Sequence, residues 1–340
     1  MGKDNFFLSI CIPSYNRPKE LKRALESIDV EKHADDIEIV ICEDFAPKRI
    51  EVRKVVDEFK KQSPYVVNYV ENEVNYGHGK NWRQCSKQSH GEYLIYMGDD
   101  DAFIKGALDT YIDWLLEHRN LGYVLRSYIN VDDKGKLNYF RYYSGDKVFE
   151  PGVKPYTEFF YKSVLMSGYT IKREYALPYT TDELDGTLFF QLYLLAEVCL
   201  RYPSGYCNTP IAQWISDGTM YFGTNAKEKE LYTPGKSSAS NPHILDNFFK
   251  ISQYIDKEHG IESTSLLKKE LSKYIYPYMS MQRKYGMKHM NAYCKELKKM
   301  GLAITPYFYI YYVGLTLFGE KNCQRLIDFI KKIVGRRLHL

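Results

Sequence analysis

The 340-residue sequence lacks most of the signatures that settle a protein's class at once. Its seven cysteines, an odd number, include no C-x-x-C pair and no Cys/His spacing. That excludes a zinc module and suits reduced thiols in a cytosolic protein. The net charge of +4 is small for the length and forms no concentrated basic stripe, so nucleic acid is not an expected partner. The apolar, aromatic stretch AITPYFYIYYVGLTLFG (303–319) is too short and interrupted for a membrane span, which needs roughly 20 apolar residues. At the start, MGKDNFFLSICIPSYNRP has only a short apolar run before Asn16 and Arg17 and no small-residue cleavage site. It therefore reads as a first strand and not as a signal peptide. Phe6 stands where a myristoylated Met-Gly start wants Ser or Thr. No internal repeat and no long low-complexity tract is present.

Tyrosine, by contrast, is abundant, with 32 residues. Its flat apolar ring and polar tip suit sugar and base stacking, a membrane interface, or simply a core. The first 130 residues alternate between two periodicities. Phe6 to Ile12, Ile37 to Cys42, Val66 to Val70, Tyr93 to Met97 and Tyr123 to Ile129 are short apolar runs, hence strands. Between them, Leu21/Ala24/Leu25/Ile28, Val52/Val55/Val56/Phe59, Asn81 to Gln88 and Leu108/Tyr111/Ile112/Leu115 mark helices. This alternation predicts an α/β fold, a mostly parallel sheet with helices on both faces. Beyond residue 130 a hairpin turning at Lys134-Gly135 is expected, then a helix over Thr187–Leu200. The run 206–214 reads as an edge strand because of its proline. The polar stretch Thr224–Pro242 reads as a loop, and a helical region follows from about 244. The expected division is thus 1–220 (a nucleotide-binding half to about 130, an acceptor half after it), a linker at 221–243, and a helical C-terminal region at 244–340.

Three polar clusters follow strands: PSYNR (13–17), EDFAP (43–47) and GDDD (98–101). In open parallel sheets ligands bind at that edge, so the three clusters are expected to face one crevice. The third is the most demanding. Three adjacent aspartates, Asp99, Asp100 and Asp101, end what reads as a buried strand, and like charges are costly to desolvate. Water or a positive group must relax them. One aspartate could cap the following helix. Three in a row suit a hard cation, Mn²⁺ or Mg²⁺, shared with a substrate diphosphate.

The blocks LSICIPSYNRPKELKRALESI, IEIVICEDFAP, NYGHGKNW and GEYLIYMGDDD, in this order, resemble the glycosyltransferase family 2 domain of GT-A fold. The similarity is greatest to bacterial surface-polysaccharide, abequosyltransferase-like members and covers roughly residues 6–215. It implies a metal-dependent inverting transfer of a sugar from a nucleotide-diphospho-sugar to a hydroxyl of a growing surface glycan, such as capsule or O-antigen. UDP is the first expectation for the nucleotide, with CDP or dTDP next. Pro13 and Tyr15 match the positions that contact the base, and Asp44 the aspartate that hydrogen-bonds it. Asn75 and Gly77 match the "NxG" block, with Lys80 or Asn81 standing for the basic residue near the base or phosphates. Asp99 and Asp101 match the DxD, the first near the ribose and both offered to the metal, with Asp100 sharing either task. If Gln191 takes the place of the family's helix Arg, the general base falls on Asp185, with Asp182 and Glu183 as rivals. Asp185 capping the helix is the structural alternative.

The tail EKNCQRLIDFIKKIVGRRLHL sets Leu326, Phe329, Ile330 and Ile333 against Arg325, Lys331, Lys332, Arg336 and Arg337. This suits a helix on an anionic inner-leaflet surface, meeting a glycan or polyprenyl-linked acceptor. Packing on its own domain or on a second subunit, as in a homodimer, explains the same pattern. Two other functions stand beside the transferase. A sugar nucleotidyltransferase would carry a glycine-rich, basic loop after the first strand, and PSYNRPKE has no glycine. A membrane-associated glycan-binding scaffold with an inactive transferase fold would have little use for the Asp99/Asp101 pair.

Overall fold

The computed structural model describes residues 5–131, 137–179, 181, 183–184, 186–215 and 244–334. Contacts divide the chain into two compact units, Met1–Glu230 and Leu231–Leu340. The expected turn at Lys134-Gly135 and the loop Thr224–Pro242 lie outside the described residues.

In the first unit the apolar runs form β1 (Phe6–Ser14), β2 (Ile37–Glu43), β3 (Val66–Glu71) and β4 (Gly91–Tyr96). They pair in parallel in the order β3-β2-β1-β4. Their alternate residues pack inward: Leu8, Ile10, Ile12, Ile39, Ile41 and Ile95 are fully buried. Complete burial of such side chains contributes about 1.5–3 kcal/mol each. The connecting helices are α1 (Pro18–Glu26), α2 (Arg49–Gln62) and α3 (His78–Gln88). Pro18 opens α1, where its fixed φ and missing N–H cost nothing.

Past β4 the sheet changes direction. The short β5 (Ala102–Phe103) leads to α4 (Ala107–Glu117), β6 (Tyr123–Val131) and the small strands β7 (Leu137–Phe140) and β8 (Lys147–Phe149). Then come α5 (Val153–Phe159), β9 (Tyr169–Lys172), α6 (Arg173–Ala176), α7 (Phe190–Arg201) and β10 (Ser204–Ile215). Strand β9 inserts between β4 and β6, antiparallel to both, so the sheet is mixed in this half. The run read as an edge strand is interior. β10 lies parallel to β6 and also pairs with β5 and β8. Pro210 is tolerated because the register shifts on either side of it, so no ladder N–H is required there. Helix α7 begins later than expected, with Phe189 as its N-cap position.

Much of the tyrosine is core. Tyr93, Tyr111, Tyr123, Tyr169 and Tyr206 are fully buried, and each hydroxyl has a partner: Leu121 O, Thr170 Oγ1, Ser163 Oγ, Gln191 O and Ser127 Oγ at 2.6–2.8 Å. Trp82 of α3 stacks on Tyr96 at 3.7 Å and meets Tyr169 edge-on at 5.1 Å, which seats α3 on the sheet.

The second unit is helical: α8 (Ile244–His259), α9 (Ser263–Lys273), α10 (Tyr276–Lys284), α11 (Met287–Lys299) and α12 (Pro306–Val334). Phe248, Ile251, Leu267, Met279, Met290, Leu297, Phe308 and Leu315 form its buried stripes. The carboxylate of Asp256 accepts the N–H groups of Ser263 (2.7 Å) and Thr264 (2.9 Å), covering orphan donors at the start of α9. Helix α12 breaks at Gly319, whose φ of 72° only glycine adopts without strain. No helix among the described residues is long and apolar enough to cross a membrane.

Candidate active site

The strand order places the three polar clusters side by side, because β2, β1 and β4 are neighbours with their carboxyl ends at one edge. Asp44 N donates to Ser14 O (3.1 Å), and Asn72 N to Glu43 O (2.9 Å), so the loops continue the sheet's pairing past its end. Pro13 is buried within β1, and Tyr15, half-buried, follows it.

A positive group does sit at the triple aspartate. Arg17 Nη1 lies 2.7 Å from Asp99 Oδ1 and 3.0 Å from Asp100 Oδ2. The other oxygen of Asp99 accepts Tyr15 N at 2.9 Å. Arg23, one turn into α1, donates to the carbonyl of Asp100. Asp101 is tied in from the far side: Ile215 N donates to Oδ1 at 2.9 Å, and the Ser167 hydroxyl to Oδ2. The Asp100 side chain is 25 % exposed against 5 % for Asp99. Asp99 and Asp101, the pair expected to hold the metal, are both buried, and each of their carboxylate oxygens accepts a hydrogen bond. Burial first, then the Asp99 charge, pushes Asp100 up to about 7, with Arg17 opposing. Burial pushes Asp101 up to about 6, against the Ser167 and Ile215 hydrogen bonds.

Among the described residues no three His, Cys, Asp or Glu side chains form a metal cage. The three adjacent carboxylates still fit a hard cation that completes its shell with phosphate oxygens and water.

At the end of β2, Asp44 is almost fully buried. Its Oδ1 accepts Asn72 Nδ2 and Tyr76 N, each at 2.8 Å, and its Oδ2 accepts Gly77 N at 2.8 Å. Asn75 Oδ1 also accepts Gly77 N (2.9 Å), and Gly77 turns at φ 80° into α3. The matched "NxG" block is therefore assembled on Asp44. Of the two alternatives on α3, Asn81 is structural: buried, it donates to Cys42 O and accepts Asn72 Nδ2. Lys80 is half-buried on the first turn of the helix.

The loop ahead of α7 lies against this turn. Arg83 donates to Thr181 O at 3.2 Å and covers the Phe190 ring, and Gly79 approaches Thr187 O. Glu183 is exposed there. Asp185 and Asp182 lie outside the described residues. Gln191 is buried, its amide donating to Val164 O.

The description "Glycosyl transferase family 2" matches residues 9–169, which include all three strand-end clusters. The chain carries a glycosyltransferase family 2 domain. Abequosyltransferase RfbV of Salmonella typhimurium (strain LT2) is 31 % identical over 143 residues, 37 % of this chain and 42 % of that protein. The GalNAc(5)-diNAcBac-PP-undecaprenol beta-1,3-glucosyltransferase of Campylobacter jejuni is 28 % identical over 116 residues, 34 % of this chain and 35 % of that one. The chain therefore matches well under half the length of these relatives. Among solved structures, S. aureus TarS 1-349 in complex with UDP-GlcNAc superposes with a TM-score of 0.58 at 15 % identity, over 88 % of this chain and 82 % of that 1-349 chain. At that identity the likeness concerns the fold alone.

Two parts of the family 2 domain carry no motif. Ser167 is unremarkable in sequence, yet its hydroxyl bonds Asp101 and also accepts Gly98 N (3.1 Å). Arg126, fully buried in mid-strand, donates to Ser167 O (2.9 Å), Lys162 O (3.1 Å) and Leu165 O (2.7 Å). Its guanidinium thus clamps the loop that delivers Ser167. The one sequence signal was an arginine inside a mostly apolar strand run, where an unpaired charge is not tolerated.

A carboxyl with a folded pKa above its unfolded one stabilises the fold while protonated and loses that contribution as pH rises through the folded value. For Asp100 the window runs from the ordinary carboxylate range to about 7. In EDTA, Asp100→Asn should therefore unfold at higher urea than the parent at about pH 7.5. The gap should narrow steadily toward about pH 5. Urea titrations at both pH values check this, and a pH-independent gap contradicts it.

Proposed function

We propose that the chain is a metal-dependent inverting glycosyltransferase that moves a sugar from a nucleotide-diphospho-sugar, a UDP-sugar first, to a hydroxyl of a bacterial surface glycan. The observation that carries this reading is the Asp99–Asp100–Asp101 cluster at the end of β4, with Arg17 from the end of β1, inside the family 2 match. The TarS complexes with UDP-GlcNAc and UDP, and the glycan-building names of the relatives, support the donor and product classes.

In this reading Asp101 and Asp99, with Asp100 beside them, would hold Mn²⁺ or Mg²⁺ together with the donor diphosphate. The cation, when bound, neutralises the departing diphosphate. Asp185, or its rivals Asp182 and Glu183, takes the proton of the acceptor hydroxyl. Crevice and loop align the two substrates for in-line attack. Calorimetry with UDP tests the first part. Affinity should fall at least tenfold, about 1.4 kcal/mol, when Mn²⁺ is chelated, and again in Asp101→Ala. Equal binding in all conditions removes the metal.

Asp185→Asn tests the base. It keeps shape but accepts no proton at neutral pH, so UDP affinity and melting temperature should hold while transfer falls by about two to four orders of magnitude. Loss of transfer in Asp182→Asn or Glu183→Gln instead would move the base to that residue.

The second unit supports a peripheral membrane role at the cytoplasmic face. Before the Gly319 break, α12 exposes Tyr307, Tyr309, Ile310, Val313, Leu317 and Phe318, and after it Leu326, Phe329 and Ile330. Aromatic and aliphatic side chains followed by the basic tail suit an anionic lipid surface. Flotation with anionic liposomes should be lost on removing Glu320–Leu340. Unchanged flotation would make the tail a packing helix.

A further inference from the structure

Of the chain's three tryptophans, two are packed into the fold. Trp82 is buried against Tyr96, and Trp114 stacks on His118 at 4.1 Å and donates Nε1 to Asp146 at 2.8 Å. Trp214, near the end of β10, differs. It is 39 % exposed, and among the described residues its ring stacks on nothing and its indole N–H has no acceptor. A large ring left in water forgoes the burial that is its main contribution to a fold.

Strand register fixes where this ring stands. Side chains alternate along β6, so Arg126, Tyr128 and Asn130 share one face of the sheet. Cross-strand partners share it too: Ala212 lies opposite Tyr128 and Trp214 opposite Asn130, with Phe140 and Asn138 of β7 on the other side. This face is the one turned toward the aspartates. From it Arg126 reaches Ser167 O at 2.9 Å, and the Ser167 hydroxyl bonds Asp101. Ile215, the residue after Trp214, donates its N–H to the other Asp101 oxygen at 2.9 Å. Tyr128 lies flat on Phe140, centroids 4.6 Å apart, so the same face continues as an aromatic surface.

Trp214 therefore flanks the aspartate cluster from β10, whereas Tyr15 and Arg17 meet it from β1. With the nucleotide on the β1 and β2 side, the sugar end of the reaction falls to the β10 side. A pyranose suits this place. Its C–H groups form a flat, partly positive face that packs on the negative face of an aromatic ring. Its hydroxyls need hydrogen-bonding groups at the rim. The indole N–H and the half-buried Asn138 amide, both without a partner among the described residues, supply them.

We propose that Trp214 is a stacking platform for the acceptor's terminal pyranose, holding it on the β10 side of the aspartate cluster. The proposal rests on the glycosyl-transfer reading. It makes Trp214 a determinant of acceptor affinity with no part in nucleotide binding.

The test titrates the purified full chain, in UDP and Mn²⁺, with the methyl pyranosides of glucose, galactose, mannose, rhamnose, N-acetylglucosamine and N-acetylgalactosamine. Tryptophan fluorescence with acrylamide quenching and saturation-transfer NMR report binding. At least one pyranoside should bind saturably and shield the exposed tryptophan from acrylamide. By NMR, Trp214→Ala should weaken that sugar about tenfold, and Trp214→Phe, which keeps a ring, should stay within about threefold. Both variants should match the parent in UDP affinity and melt within about 2 °C of it. No saturable binding of any pyranoside overturns the proposal, as does unchanged binding in Trp214→Ala. A loss in Trp214→Ala confined to UDP-glucose or UDP-N-acetylglucosamine, with UDP unaffected, gives the ring to the donor sugar and overturns it too. So does a large drop in melting temperature with loss of UDP binding, which makes Trp214 structural. A parent that binds none of UDP, CDP and dTDP, seen before any pyranoside is added, removes the transferase reading and this proposal with it.

Discussion

Arg17 bridges Asp99 and Asp100 at 2.7 and 3.0 Å, joining the end of β1 to the end of β4. Three adjacent carboxylates at the end of a buried strand would otherwise lose hydration with nothing in return, and desolvation costs several kcal/mol per ion. The guanidinium is suited to the task because it is planar, always charged and able to reach two carboxylates at once. With that pair in place Asp99 can also receive Tyr15 N, and the neighbouring loops have a fixed frame to build on.

Around this pair the carboxylates divide by what they bind. Glu43, Asp44 and Asp101 accept from backbone N–H groups and hold loops in shape. Asp100 alone of the aspartate triplet keeps substantial exposure. This division has a common physical basis. Strands in a parallel sheet end with unpaired N–H groups in the loops beyond them, and a short acidic side chain is the nearest acceptor. Buried backbone donors left unpaired are rare because each costs a desolvation penalty. Most of the acidity at this sheet edge thus holds loops in shape, while the Asp100 carboxylate pairs with Arg17. Arg126 shows the converse on the far side, a buried cation held by three carbonyls.

The parallel half of the fold was legible because its signals are local. Leu8, Ile10 and Ile12, or Val52 and Val56, announce strand and helix by their own spacing, and alternation implies the parallel layout. The antiparallel half was less so. β9 is four residues long and has no period to read, yet it sits between β4 and β6. Pro210 suggested an edge because a proline removes a ladder donor, and the bulge that removes the need for one is a property of pairing with β6.

The sequence by itself determined that a triple aspartate, an EDFAP loop and a PSYNR loop meet at one sheet edge, since strand ends and topology follow from short-range pattern. It also required water or a positive group at Asp99–Asp101. Which residue met that requirement, which aspartate stayed open, and that Ser167 and Arg126 belong to the site were decided only by the tertiary structure. Arg17 and Asp99 are 82 positions apart, and Asp101 and Ile215 114 apart. Hydrogen bonds and ion pairs act over about 3 Å, and no pattern in a chain records which distant groups will come within that range.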